Sequence, residues 1–394
     1  MLIFCNWHSL VQKYSFNFAN CYTREKITVM KRIILLILSA LALVNIANAQ
    51  QRVVDVMDNS PIASATIFDT SGSVVGITST DGDFSEVPAS AYPITIRCIG
   101  FEQLEIDSLE NKVWQMVPIM YELEDAVISA KPQVLKQTFY VREYTSLTFG
   151  EDEVMITYFT EHMADRFIPA NKDVKFSKNS MRILRSRCYE RIKVADQDSV
   201  AVSDTTKFLS VLEWNEPDTE PITPHKSLIN SDGPTKVYEK EGKSGAYLIQ
   251  KQNAQTFTIV EDILAKKKDH SISLWGLKLF GVKVNINEWY TNHIYRANDK
   301  NLYMPKDLIE ASFMMEAEGT WKKLSKALKS DKPLRIRTMV EMYVVDRDYF
   351  SKEDAKEAYK NKPTDVEFEI PTSVPELNEA TEALVKRVKE EVKK

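Results

Sequence analysis

Cysteine and histidine are scarce in this chain, four and five respectively among 394 residues. Four cysteines are too few to staple a chain of this length into a disulfide scaffold. Five histidines without close pairing speak against a His-rich metal centre. Charge of one sign is not in excess, with 51 basic and 56 acidic residues and a net charge of −5. That balance argues against a nucleic-acid binder held by a basic surface. No apolar run reaches the roughly 20 residues a membrane helix needs. Residues 131–394 contain no Gly-rich phosphate loop, no His-Glu-x-x-His, no Gly-x-Ser-x-Gly and no paired-cysteine metal site. What is present is 44% apolar and 27% charged residues, ample for packed cores. At roughly 100–200 residues per domain the chain has room for two or three.

The longest apolar run is Ile33–Val44, preceded by Met30-Lys31-Arg32 and followed by Asn45-Ile46-Ala47-Asn48-Ala49-Gln50. A basic start, a short apolar core and a small-x-small site are the features of a secretory signal, with cleavage expected between Ala49 and Gln50. Residues 30–49 are therefore expected to be a signal peptide. Residues 1–29 do not fit its basic start, and are expected to be a non-translated or spurious extension. Trimming residues 1–49 removes five basic side chains and one acidic one, taking the net charge from −5 to −9. No cysteine follows the cut, so a lipoprotein-type anchor is not supported. Cys98 and Cys188 remain; a bridge between them and two separate buried thiols are both open readings.

From Arg52 to about Glu124, short strands alternate with turns: Val53–Val56, Ile62–Phe68, Val74–Thr78, a strand opened by Phe84, and Tyr92–Phe101. Asp58–Pro61, Ser71-Gly72 and Asp81-Gly82-Asp83 supply the turns, the last with the positive-φ position a tight hairpin needs. Ala63, Ala65 and Ile67 fall on one face, as do Ile94, Ile96 and Cys98. This spacing predicts a small β-sandwich. Four blocks in order carry a resemblance: Val54-Asp55, Pro61–Ala65, Thr80–Phe84 and Ile96–Phe101. Together they resemble the carboxypeptidase regulatory-like family. The resemblance implies a seven-stranded transthyretin-like sandwich over residues 51–124, of the kind found at the N-terminus of envelope proteins. Asp81 and Asp83 read as a hairpin turn in preference to calcium ligands. Tyr121–Ala130 reads as a last strand and linker, the linker covering residues 125–135.

Residues 136–372 read as an α+β domain on a curved antiparallel sheet with a few helices, so the fold class expected is mostly β. Strands are expected at Met181–Val194, Lys236–Tyr238, Ala246–Gln250, Ser271–Ile286, Glu288–Tyr295, Leu302–Met304, Asp307–Glu318 and Leu334–Val345. Helices are expected at Glu153–Phe167, at Ser351–Asn361 behind an N-cap serine, and at Glu376–Glu391, within a charged amphipathic C-terminal segment spanning 373–394. Asp196–Asp204 and Glu213–Pro234 read as acidic loops. Trp275, Phe280, Trp289 and Tyr290 give Ser271–Tyr295 some of the look of a membrane-barrel strand, but the rest of the chain lacks it. Those aromatics either line a groove for an apolar or sugar ligand or, with Leu277, Leu279, Val282 and Ile286, form core.

Glu261-Asp262 and Asp346-Arg347-Asp348 are carboxylate clusters of the kind glycoside hydrolysis uses, but neighbours of this sort are inevitable among 56 acidic residues. His162, His225, His270 and His293 show no spacing that pairs one with a serine or a second ligand. The expectation is no catalytic, cofactor-binding or metal-binding residue, and no cofactor. The function expected is that of a non-enzymatic envelope binding or structural protein, exported to the periplasm, outer membrane or cell surface, with a protein or glycan partner and no nucleic acid. The alternatives are a glycan- or peptide-directed hydrolase with an accessory sandwich, and a component associated with TonB-dependent uptake.

Overall fold

Seven strands make a two-sheet sandwich at the front of the described chain. The computed structural model describes residues 51–394 apart from 86, 109–111, 122–132, 151–153, 170–173, 177–180, 195–196, 205–226, 233–234, 240–246, 254, 266–271, 274–281, 298–304 and 393–394. Strand β1 (Gln51–Asp55) lies between β4 (Asp83–Phe84) and β7 (Val113–Met116), antiparallel to the first and parallel to the second. The second sheet has the order β3 (Val74–Ile77), β2 (Thr66–Phe68), β5 (Ile94–Arg97), β6 (Leu104–Ile106). Between them Val53, Ala65, Ile67, Phe84, Ile94, Ile96 and Met116 pack as a core. The turn before Phe84 works because Gly82 takes φ +75°, and a Cβ there would meet the Val53 carbonyl oxygen at 2.4 Å.

The rest of the chain builds one antiparallel sheet. Its order is β11 (Gln197–Ser203), β10 (Arg182–Val194), β9 (Val154–Pro169), β8 (Val134–Phe149), β19 (Leu334–Phe350), β18 (Leu308–Trp321), β17 (Val282–Arg296), β15 (Thr256–Asp262), β14 (Tyr247–Gln252), β13 (Thr235–Glu239), β12 (Ser227–Asp232). A twelfth strand, β16 (Ile272–Ser273), pairs with β17. Mostly-β is therefore the fold class, with three helices described: α1 (Lys322–Leu328), α2 (Lys352–Lys360) and α3 (Glu379–Val392).

Both faces of the large sheet are covered. One face carries Phe139, Val141, Ile156, Phe313, Met315, Val340 and Met342, with Leu324 and Leu328 of α1 packed against them. The other is the docked face. There Phe68 and Val74 of the sandwich and Leu384, Val385 and Val388 of α3 close over Tyr144, Phe159, Tyr189, Tyr290, Met314 and Met339. Those sheet residues stand side by side in register across five of the long strands and β17. Residues 51–394 accordingly form one compact unit.

This two-sided burial explains where the sequence expectations fail. The segment Glu153–Phe167 is strand β9, not a helix. Its apolar side chains fall on both faces, Ile156 and Ala164 on one and Phe159, Met163 and Phe167 on the other, so the period of two is hidden. Within the expected loop Asp196–Asp204, Gln197–Ser203 is likewise strand β11, paired with β10. Strands β8, β12 and β15 and helix α1 had no expected counterpart. Within the expected loop Glu213–Pro234, Ser227–Asp232 is strand β12, while residues 213–226 and 233–234 lie outside the described residues. Ser271–Ile286 and Glu288–Tyr295 fall on β16 and one continuous β17, the former in part outside the described residues, as is Leu302–Met304. By contrast α2 forms where expected, with the Ser351 hydroxyl accepting from the Asp354 amide at 3.1 Å.

Candidate functional site

A cleft opens where the sandwich meets β14, β15 and β17, lined among others by Cys98, Ile99, Tyr121, Thr256, Asn292 and Ile294. At its lip Lys251 reaches from β14 to the sandwich, paired with Asp55 and Asp58 and donating to the Ser60 hydroxyl at 3.1 Å. Burial raises the Asp58 carboxyl, but hydrogen bonds from Ser60 and the Lys251 charge outweigh it and hold the group below its ordinary value. On the cleft wall, Asn292 is 2% exposed. Its amide nitrogen donates weakly to the Cys98 sulfur at 3.8 Å, and its Oδ1 has no partner.

Behind the cleft lies a charge cluster sealed between the two parts. Arg97, at the end of β5, sits opposite Thr66 on the face of its sheet that meets the large sheet. It donates to Glu341 of β19 at 2.9 Å and to the Tyr144 hydroxyl at 2.8 Å. Desolvation opposes the charge on Arg97, but Glu341 prevails and holds the guanidinium ionised. The neighbouring rung of the sheet sets Glu310 opposite Tyr343, and Tyr343 opposite Tyr140. Glu310 accepts from the Tyr121 hydroxyl at 3.0 Å through Oε2, while its Oε1 is buried without a partner. Burial is the main reason its carboxyl is pushed up to about 8, with the Glu341 charge adding to the effect against the opposing Tyr121 and Gly100 hydrogen bonds. Glu310 is thus protonated at neutral pH. The Cys98 thiol, pushed up to about 12 chiefly by burial, is no nucleophile.

The structure corrects one reading of the histidines. On the opposite face of the sheet, His162 of β9 stands directly across from Ser186 of β10, its Nδ1 2.8 Å from the serine Oγ. The His162 Nε2 faces the Glu143 carboxylate at 3.6 Å. Serine, imidazole and carboxylate in line are the ingredients of a nucleophile relay. Here the imidazole is fully buried, whereas a general base must reach the proton of an attacking group and then a leaving group. His293 is buried and lies beside Tyr295, with ring centroids 6.1 Å apart; His225 and His270 lie outside the described residues.

Other sequence candidates do not converge. Trp289 packs edge-on to Phe313, 6.2 Å between centroids, on the face opposite the sandwich, whereas Tyr290 belongs to the docked face. They line no common groove; Trp275 and Phe280 lie outside the described residues. Asp348 pairs with Lys136 at 2.9 Å, and Asp346 accepts from the Arg347 amide. Asp83 lies 3.8 Å from Arg52. Among the described residues no three His, Cys, Asp or Glu side chains converge as metal ligands. Cys98 and Cys188 are not joined in a disulfide: Cys98 touches Asn292 on the docked face, and Cys188 stands opposite Thr160 at a position of the other face. Among the described residues no helix is long and apolar enough to cross a membrane.

Comparison with known proteins adds little to this geometry. No family model matches the chain, and no curated protein does. One solved structure, described as lipid–protein interactions in lipovitellin, aligns with 56% of this chain and 26% of its own, at 7% identity and a TM-score of 0.29.

Proposed function

We propose that the protein is exported and acts as a non-enzymatic binding protein of the cell envelope, its front module being a carboxypeptidase regulatory-like sandwich. The cleft carries this reading. It is built by both parts, has apolar walls and a charged lip, and contains in Asn292 a buried oxygen with no partner. Concave junctions of that make-up are where ligands settle. The secretory leader supports export. A photo-crosslinking residue at Ser60, on the cleft lip, should yield a discrete adduct in the native envelope, while the same residue at Lys356 on α2 should not. Equal labelling at both positions, or none at either, overturns the reading.

One observation favours the hydrolase alternative, the Ser186–His162–Glu143 alignment. A fluorophosphonate reagent decides it. Binding alone predicts no adduct on Ser186; a stoichiometric adduct lost in His162→Ala makes the protein a hydrolase.

A further inference from the structure

The described residues include seven large apolar side chains that are exposed, and five of them lie on or just after the paired strands β1 and β7 of the sandwich. Val113 (54%), Val117 (46%) and Met120 (83%) lie on and just after β7; Val56 and Met57 (76%) follow β1. The β1–β7 register pairs Asp55 with Met116, so one step further Val56 stands beside Val117. The Val56 amide, donating to the Met116 carbonyl, confirms that alignment. Val56 and Val117 therefore stand side by side with Met57 next in the chain, and Val113 shares the solvent face of β7 with Val117. Patches of this kind mark contact surfaces.

The patch runs along a sheet edge. In the described residues β7 is the end strand of its sheet. Arg52 donates to the Lys112 carbonyl and Val56 to that of Met116. In a parallel pair this register turns the main-chain groups of alternate residues toward the neighbour. Trp114 and Met116 therefore face β1, and the N–H and C=O groups of Val113 and Gln115 point outward. An edge of that sort accepts an added strand.

Charge selects what the strand is. Residues 51–121 contain ten acidic and three basic residues, and one of the three, Arg97, is buried against Glu341. Glu102, Glu105 and Asp107 are exposed, the Glu102 amide bonded to the Val117 carbonyl. Asp58 is paired with Lys251, and of the two cations beside the start of β7, Arg52 lies 3.8 Å from Asp83 while Lys112 is exposed. A second copy of the sandwich would bring like charge to like charge, and anionic lipid would be repelled. Resting on the binding reading above and naming its partner, we infer that β7 is a docking edge for an extended polypeptide segment of a partner protein, apolar at alternate positions and basic between them.

A fluorescein-labelled peptide of alternating lysine and valine is the probe, titrated into the mature chain. Binding is expected to weaken by about tenfold from low to physiological salt, and a glutamate–valine peptide should not bind. Hydrogen exchange should slow at Val113 and Gln115. Gln115→Pro removes an outward N–H that the β1 ladder does not use and so keeps the fold; it should lower affinity at least about tenfold. Val117→Lys, on the solvent face, should do the same while leaving the circular dichroism spectrum unchanged. Peptide binding that survives both substitutions overturns the inference. So does a dimer, or a complex with phosphatidylglycerol vesicles, that protects the β7 amides without peptide. Because Ser60 reports on the cleft and Gln115 on the edge, loss of one result leaves the other standing.

Discussion

Arg97 and Glu341 meet at 2.9 Å across the boundary between the sandwich and the large sheet, their side chains 2% and 1% exposed. A paired charge sealed at that depth fixes how the two parts meet, since a shifted seam would leave one charge buried without its partner. Around it the attachment is polar as well as apolar: the Val74 amide donates to the Ser146 hydroxyl, and Arg337 donates to the Val74 carbonyl. The sandwich is thus part of the sheet's packing, which is why the cleft beside it has fixed walls.

Removing one member of this pair is expected to cost about 3–5 kcal/mol, because the other is left buried and uncompensated. Arg97→Ala and Glu341→Ala should each show that loss in urea unfolding. Arg97→Met combined with Glu341→Leu should lose much less than the sum of the two alanine substitutions.

Glu310 makes stability depend on pH in a defined sense. Its folded carboxyl is raised to about 8, above the ordinary 4.5 expected on unfolding. Between those values the folded state holds a proton that the unfolded state has released, so stability falls as pH rises through this window. Tyr121, Tyr343, Glu341 and Cys98 are ionisable groups that interact with it. Glu310→Gln should flatten the pH dependence between about 4.5 and 8, gaining on the order of a few kcal/mol at the alkaline end. Chemical denaturation across pH checks it, and a parallel profile in the variant would refute it.

The thiols offer a third test. Iodoacetamide at pH 8 should leave Cys98 and Cys188 unmodified in the folded protein and alkylate both in guanidinium, as read by peptide mass spectrometry. A Cys98–Cys188 disulfide-linked peptide would contradict the structure.

Gly82→Ala should be among the costliest single methyl additions. Its φ of +75° disfavours a side chain, and the new Cβ would press on the Val53 carbonyl. A loss of about 2–3 kcal/mol is expected in thermal or urea unfolding. Ser351→Ala, which removes only the cap of α2, should cost about 1 kcal/mol.

The sandwich was legible because its strands are short, its turns carry glycine at positive φ, and Ile94 and Ile96 alternate with their neighbours. Arg97 was not legible as a buried charge, because nothing local within Ile94–Phe101 places Glu341 against it. Strand β8 was not legible: Arg142, Glu143, Thr145 and Ser146 are buried there beside Tyr144 and Leu147, so polarity carries no information about facing. The cleft depends on Lys251, Asn292 and Tyr121 coming from elements far apart in sequence. His162 and Ser186 meet through strand register alone, and reading β9 as a helix concealed it.

The docked face also holds a row in which Glu341, Arg142, Glu161 and Arg187 stand directly opposite one another on four successive strands. Slipping β9 by two positions against β8 would keep every side chain on its proper face, so hydrophobicity alone would not forbid it. It would, however, take Glu161 out of its place across from Arg142, where its carboxylate accepts from the Tyr140 hydroxyl at 2.6 Å while that hydroxyl accepts from Arg142 at 3.2 Å. The alternating signs thus work as a vernier, admitting one alignment among several that an oily surface would accept, in a sheet whose strands must find partners far along the polypeptide.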